Sequence, residues 1–158
     1  MANKVTGGLM KAGVLVAACL IVVRIILEQS GAPESVNNIF GVAWLYLVFP
    51  VLFALRIAAS GEPGPFKALF KALLLFGVYT RLMVMASYML AFLFKWQAPR
   101  FSLKMGGNVG PDVSALQGLL VIPARNALIW IVMATVLGMI VGGIVLFTKR
   151  KPAPPAQA

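Results

Sequence analysis

One charged residue, Arg81, interrupts the apolar run FGVYTRLMVMASYML at positions 76–90. A charge inside a bilayer costs free energy, and such residues usually have a polar partner or a function. If Lys71 marks the inner boundary of this segment, a rise of about 1.5 Å per residue places Arg81 about 15 Å deep, near the midplane. The acidic residues of the chain are Glu28, Glu34, Glu62 and Asp112. Because none of them is expected at that depth, Arg81 needs a neutral acceptor or an anion from outside the chain.

The second apolar segment offers such an acceptor. Counting back from Arg56, its expected inner end, Tyr46 also lies about 15 Å deep. Pro50 follows Tyr46 by one helical turn, and because proline has no N–H, the Tyr46 carbonyl loses its helical partner. We therefore predict a hydrogen bond from Arg81 to this carbonyl.

The candidate midplane site has two interpretations. The rings of Tyr46, Tyr79 and Trp44 are available to receive the Arg81 guanidinium on their faces. In the first interpretation Arg81 is a structural clamp on kinked backbone, with water completing its solvation. In the second, an anion joins it: a lipid phosphate, a ligand carboxylate or phosphate, a quinone-like carbonyl, or an acid of another protein.

A second arginine inside an apolar segment, Arg24, has an acid nearby. Glu28 follows Arg24 by four residues, which places both side chains on one helix face. We predict an ion pair within the helix, near the outer interface.

The composition excludes several kinds of catalytic and metal site. The chain has no histidine and a single cysteine, Cys19, so it cannot build a histidine-ligated metal centre, an iron–sulfur cluster or an intrachain disulfide. We see no nucleophile–base arrangement or phosphate loop. We therefore predict no cofactor, no metal site and no enzymatic activity. The formal net charge of +10 lies mainly at the ends of apolar runs, which favours anionic lipid over nucleic acid.

The apolar segments predict an all-α integral membrane protein. Hydrophobic residues make up 61% of the 158 residues and charged residues only 11%, and about 20 apolar residues suffice to cross a bilayer. We predict one domain at 1–150, a four-helix transmembrane bundle with helices at about 8–28, 38–60, 66–95 and 126–148. A disordered proline-rich tail is expected at 151–158. A long outer loop joins helices three and four, and its apolar stretch VSALQGLLVIP is too short to span, so it should lie along the interface or cap the bundle.

The cations predict an orientation with both termini in the cytoplasm. The inner set of lysines and arginines is Lys4, Lys11, Arg56, Lys67, Lys71, Lys149, Arg150 and Lys151. The outer loop would carry a smaller set, Lys95, Arg100, Lys104 and Arg125. Of the inner set, Lys67, Lys71, Lys149, Arg150 and Lys151 are expected to contact anionic lipid headgroups. Trp96 and Trp130 would anchor the outer interface. The predicted location is the plasma membrane, specifically a bacterial inner membrane.

Two shorter patterns leave alternatives open. VAAC at 16–19 resembles the site before a lipid-modified cysteine, but apolar residues continue after it, so we favour Cys19 as a small buried residue inside an intact span. Ala134, Gly138 and Gly142 form a smooth stripe on helix four. The stripe predicts either packing on helix one within the chain, or association with another copy or a partner subunit.

These patterns favour a small non-enzymatic multi-pass membrane protein. Its expected role is that of an assembly or accessory subunit of a membrane complex, or of a homo-oligomer, with membrane lipids and a membrane protein as partners. The alternative is a small transporter or channel-like protein that binds an anionic solute or lipid headgroup at Arg81.

Overall fold

The computed structural model describes residues 2–149, and the side chains of residues 6–149. This part of the chain is built from helices. The longer ones are α1 (Ala2–Gln29), α2 (Glu34–Ile39), α3 (Leu45–Ser60), α4 (Pro65–Phe94) and α5 (Ile122–Lys149). Short 3₁₀ turns lie at Val42–Trp44, Pro99–Phe101 and Leu103–Met105, and a π-helical turn at Gln117–Val121 leads into α5.

Within the described residues, four helical segments are long and apolar enough to cross a bilayer: Thr6–Gln29, Glu34–Ser60, Pro65–Phe94 and Gln117–Lys149. The coarse fold prediction, an all-helical chain with four membrane-compatible segments, is therefore confirmed. The orientation in the membrane and the division into a domain at 1–150 and a tail stay predictions. Arg150, Lys151 and the tail at 151–158 lie outside the described residues.

The second span differs from its prediction, because a break divides it. Instead of one helix at 38–60, α2 ends at Ile39 and α3 begins only at Leu45. At the break the Asn38 carbonyl accepts from the Gly41 N–H at 3.2 Å and from the Trp44 indole N–H at 3.4 Å, instead of from the next turn of a continuous α-helix. At 16 residues, α3 is about 24 Å long, which is shorter than the hydrocarbon core of about 30 Å.

The fourth span begins earlier than the predicted 126. Residues 117–121 belong to the stretch that was expected to lie along the interface or to cap the bundle, and they continue directly into α5. The Gln117 backbone N–H donates to the Ser114 hydroxyl at 3.3 Å, and the Gln117 side-chain oxygen accepts from the Ser114 N–H at 3.2 Å, which is a capping box. Pro123 lies inside this continuous helical segment, directly after the π-helical turn, and does not end it. Its missing N–H is accommodated because the Gly118 carbonyl, five residues earlier, accepts from Asn108 Nδ2 at 2.7 Å.

The core of the bundle is a group of aromatic rings between α3 and α4. Phe49 and Phe76 stack with ring centroids 4.8 Å apart, and Phe53 meets Phe76 edge-on at 5.9 Å. The first helix approaches these rings at Gly13, where a Cβ would lie 2.5 Å from the Phe49 ring. Cys19, also in α1, is exposed on the helix surface instead of buried.

The small-residue stripe of α5 packs within the chain, but against α3 and α4 rather than against helix one. Ala134, Gly138 and Gly142 are all buried. A Cβ at Gly142 would lie 2.9 Å from the Pro50 carbonyl oxygen, and one at Gly138 would lie 2.9 Å from the Leu73 side chain. The glycines let α5 approach both central helices, and the proline of α3 lies directly under the stripe.

The connection between α4 and α5, which we call the cap loop (residues 95–116), is anchored by Asn108. This side chain is fully buried, and its Nδ2 donates to the Tyr88 and Gly118 carbonyls at 2.7 Å each. Phe101 is buried against Tyr88 and Trp96. The cap loop thus closes the end of the bundle at which α4 ends and α5 begins.

Candidate functional site: an arginine-lined cavity

A cavity of about 180 Å³ lies where the second span is broken, and its lining includes three arginines, Arg24, Arg81 and Arg100. We call it the arginine cavity. The three arginines come from α1, α4 and the cap loop, respectively. Apolar, aromatic and backbone groups complete the lining: Ile21, Gly41, Val42, Ala43, Val84, Tyr88 and Trp130. Because α3 starts only at Leu45, the second span contributes Gly41 and the first residues of the 3₁₀ turn at Val42–Trp44 to this wall.

Arg81 is buried between two aromatic rings. Only 7% of its surface is exposed. Its Cζ lies 5.0 Å from the centroid of the Tyr46 ring and 4.4 Å from that of Trp130. Its Nε is buried and has no hydrogen-bond partner among the described residues. The rings stabilise the cation, but they do not neutralise its charge.

The predicted bond from Arg81 to the Tyr46 carbonyl is not formed within the described part of the chain, and Arg81 faces the Tyr46 ring instead. The Tyr46 hydroxyl bonds the Thr80 hydroxyl at 2.7 Å, which draws the ring alongside the residue that precedes Arg81. Pro50 is buried under α5.

Two further aromatic residues proposed for the site lie elsewhere. Trp44 is 59% exposed and Tyr79 is 48% exposed, and the rings that Arg81 faces belong to Tyr46 and Trp130. The Trp44 indole N–H donates to the Asn38 carbonyl at 3.4 Å. For Tyr79 the sequence already carried this information, because a residue only two positions from Arg81 lies on another face of the helix.

Glu28 joins the other two arginines of the cavity. Arg24 Nε donates to Glu28 Oε1 at 2.8 Å, so the structure brings the predicted pair together. Arg100 Nε donates to Glu28 Oε2 at 2.9 Å, a contact between α1 and the cap loop. The Glu28 side chain is only 3% exposed. Burial lowers the pKa of Arg100, and the Glu28 carboxylate opposes that effect.

The charges around the cavity do not balance. Three arginines line it, and one carboxylate, Glu28, contacts two of them, so the formal sum is +3 − 1 = +2. In the described part of the chain, no ion pair includes Arg81. Arg100 Nη2, like Arg81 Nε, is buried and has no acceptor among the residues that the structure describes. The site is therefore a cluster of donors with fewer acceptors than it can use.

A second cavity of about 170 Å³ adjoins the first. It shares Arg81, Val84, Tyr88 and Trp130 with the arginine cavity. Its other side is formed by the cap loop and by the first turns of α5, including Met105 and Asn126. Arg81 thus borders both spaces.

Sequence reasoning missed Arg100, Trp130, Tyr88 and Thr80 as members of this site. Arg100 was expected to be an outer-loop cation, and Trp130 an interfacial anchor. No local pattern indicates that the cap loop returns Arg100 to α1. Of the headgroup candidates, Lys67, Lys71 and Lys149 are exposed and do not line the cavity, while Arg150 and Lys151 lie outside the described residues. Residues 2–149 contain no group of three metal-ligating side chains.

The hydroxyl of Tyr46 provides a modest test of the site's geometry. Tyr46→Phe removes the bond to Thr80 but keeps the ring next to Arg81. Thr80 keeps its bonds to the Phe76 and Gly77 carbonyls. We expect the free energy of unfolding, measured by denaturant titration in mixed micelles, to fall by about 1 kcal/mol. Tyr79→Phe, at an exposed position, should leave it unchanged, and equal effects would contradict the assignment.

Comparison of the chain with protein-family models, with curated proteins and with solved structures found no match.

Proposed function

We propose that this chain is a non-enzymatic multi-pass membrane protein that binds an anionic group at the arginine cavity. The observation that carries the proposal is Arg81, a cation that is 7% exposed and has no carboxylate in contact among the described residues. A buried charge without a counter-charge is costly. An anion in the cavity would lower that cost for the whole site.

The arrangement of donors supports binding over a purely structural clamp. A clamp would use the arginine donors on backbone carbonyls, but Arg81 Nε and Arg100 Nη2 have no acceptor in the described residues. Both arginines line the same cavity. Two arginines that line one space of about 180 Å³, each with a buried donor that has no acceptor among the described residues, fit a ligand with several oxygen atoms.

The role in assembly rests on weaker support. Its sequence argument was the stripe on α5, and that stripe packs against Pro50, Leu69 and Leu73 of the same chain. A partner subunit or homo-oligomer would need another surface. The assembly role stays a prediction, and anion binding becomes the preferred function.

The membrane setting is part of the proposal. We propose that the protein lies in a plasma membrane, a bacterial inner membrane, with both termini in the cytoplasm, because the larger set of lysines and arginines lies near that face. In this orientation the arginine cavity and the cap loop lie toward the outer side.

The test is native mass spectrometry of protein purified in a mild detergent. The unmodified protein is expected to retain a bound anion. Arg81→Gln should lower the retained fraction about tenfold or more, because hydrogen bonds to charged groups contribute about 1.5–3 kcal/mol.

The matched control is Lys104→Gln, which removes one charge from an exposed position of the same cap loop. It should retain the anion. Equal occupancy in all three proteins would contradict the proposal. Loss of thermal stability in Arg81→Gln, with no anion bound to the unmodified protein, would establish the clamp instead.

A further inference from the structure

We infer that the anion is the phosphate of a membrane lipid, and that the site prefers a phosphomonoester headgroup to a phosphodiester one. This inference rests on the proposed function and names the ligand class of the same cavity. It follows from the position of the cavity, its size, its charge and its unused donors.

The position of the cavity favours a lipid over a soluble anion. Ile21, Val42, Val84 and Trp130 line it, and each comes from a different membrane-compatible segment. Aliphatic and aromatic side chains thus surround the arginines. A site of this kind mixes an apolar wall with a charged centre, as an amphiphilic ligand requires.

The size of the cavity fits a headgroup and not a whole lipid. Each of the two adjoining spaces, of about 180 and 170 Å³, is smaller than the pockets of about 300–1,000 Å³ that enclose a drug-sized ligand. The hydrocarbon chains would have to lie outside. Exposed apolar side chains border the lining residues on both flanking helices: Val22 and Ile26 on α1, and Leu128 and Ile129 on α5.

The charge of the cavity favours a phosphomonoester. The lining arginines and Glu28 leave a formal excess of +2. A phosphomonoester carries about −1.5 to −2 charges at pH 7 and three terminal oxygens. A phosphodiester carries one charge and two such oxygens. The monoester therefore matches the excess more closely and offers one more acceptor oxygen to the arginines that line the cavity.

Trp130 provides a reporter inside the site, because its ring lies 4.4 Å from the Arg81 Cζ. Trp44→Phe with Trp96→Phe leaves Trp130 as the only tryptophan of the chain. Its fluorescence is followed in nonionic micelles during titration with dioctanoyl phosphatidic acid, a phosphomonoester. Parallel titrations use dioctanoyl phosphatidylglycerol, dioctanoyl phosphatidylcholine and inorganic phosphate.

We expect phosphatidic acid to bind about tenfold or more tightly than phosphatidylglycerol, and the other two probes to give no change. Affinity for phosphatidic acid should rise between pH 5 and 7, as its phosphate loses a second proton near a pKa of about 6. Affinity for phosphatidylglycerol should stay level. Arg81→Gln should weaken the binding of phosphatidic acid about tenfold, and Lys104→Gln should not.

Native mass spectrometry of the unmodified protein, with the two anionic lipids in competition, measures the ratio of their affinities without the tryptophan substitutions. A folding defect in the single-tryptophan variant therefore cannot decide the result. Equal affinity for the two anionic lipids, with no pH dependence, overturns the monoester preference while the proposed function stands. Binding of inorganic phosphate that displaces the lipid overturns the lipid assignment. If no anion binds, the proposed function fails as well.

Discussion

Glu28→Gln is expected to lower the free energy of unfolding by about 2–3 kcal/mol. Glu28 is the shared partner of Arg24 and Arg100, so the substitution leaves two arginines without their counter-charge. Breaking a buried pair costs about 3–5 kcal/mol. We expect a smaller loss than this because the side chains of Arg24 and Arg100 are 20% and 17% exposed, so water partly solvates them. Denaturant titration in mixed micelles measures the change.

Glu34→Gln is the matched control for that prediction. It removes the same charge from an exposed position at the start of α2. We expect the control to unfold within about 0.5 kcal/mol of the unmodified protein. If Glu34→Gln and Glu28→Gln destabilise equally, general charge repulsion explains the effect and the specific role of Glu28 is wrong.

Gly142→Leu is expected to destabilise the bundle by about 3 kcal/mol, because overpacking at a close helix contact forces the backbone apart. A Cβ at this position would already lie 2.9 Å from the Pro50 carbonyl oxygen and 3.0 Å from the Leu69 side chain. The first of these neighbours is backbone and cannot rotate away. The same denaturant titration applies.

The adjacent glycine gives the control. At Gly143 a Cβ would meet only the Phe66 ring, at 3.8 Å, which is an ordinary contact. Gly143→Leu should therefore be far less disruptive. If the two variants were equally stable, α5 would not pack on α3 through Gly142. If Gly142→Leu left the monomer stable but dissociated an oligomer, the stripe would be an intermolecular contact.

The depth estimated for Arg81 from the helical rise correctly indicated a buried arginine without an acidic partner in the described residues, but the predicted acceptor, the Tyr46 carbonyl, was wrong. The residue is buried, and none of the described acids pairs with it. The partner was sought along the backbone of the second span, because proline at position 50 has no N–H. The side chain of Tyr46 offered its ring instead, since its hydroxyl bonds Thr80 beside Arg81. Depth along a helix predicts which residues are level, but not which atoms meet.

The cap loop shows a second limit of the sequence. Its proline and glycine residues predicted a long connection. Its lysines and arginines were an exception to the predicted orientation, because cations usually concentrate on the cytoplasmic side. Arg100 reaches Glu28 across 72 positions of sequence, a contact that no periodicity encodes. The capping box of Ser114 and Gln117, in contrast, was a local signal for the earlier start of the fourth span, and it was readable in the sequence.

The sequence by itself determined the number of membrane-compatible helices, because runs of about 20 apolar residues have few other stable environments. It also determined the pair of Arg24 and Glu28, which one helical turn brings together. Only the tertiary structure decided that Arg81, Arg24 and Arg100 border one cavity, and that Trp130 covers Arg81. The reason is that the break before α3 and the return of the cap loop place residues from three separate segments at one level, and such placement depends on packing between helices.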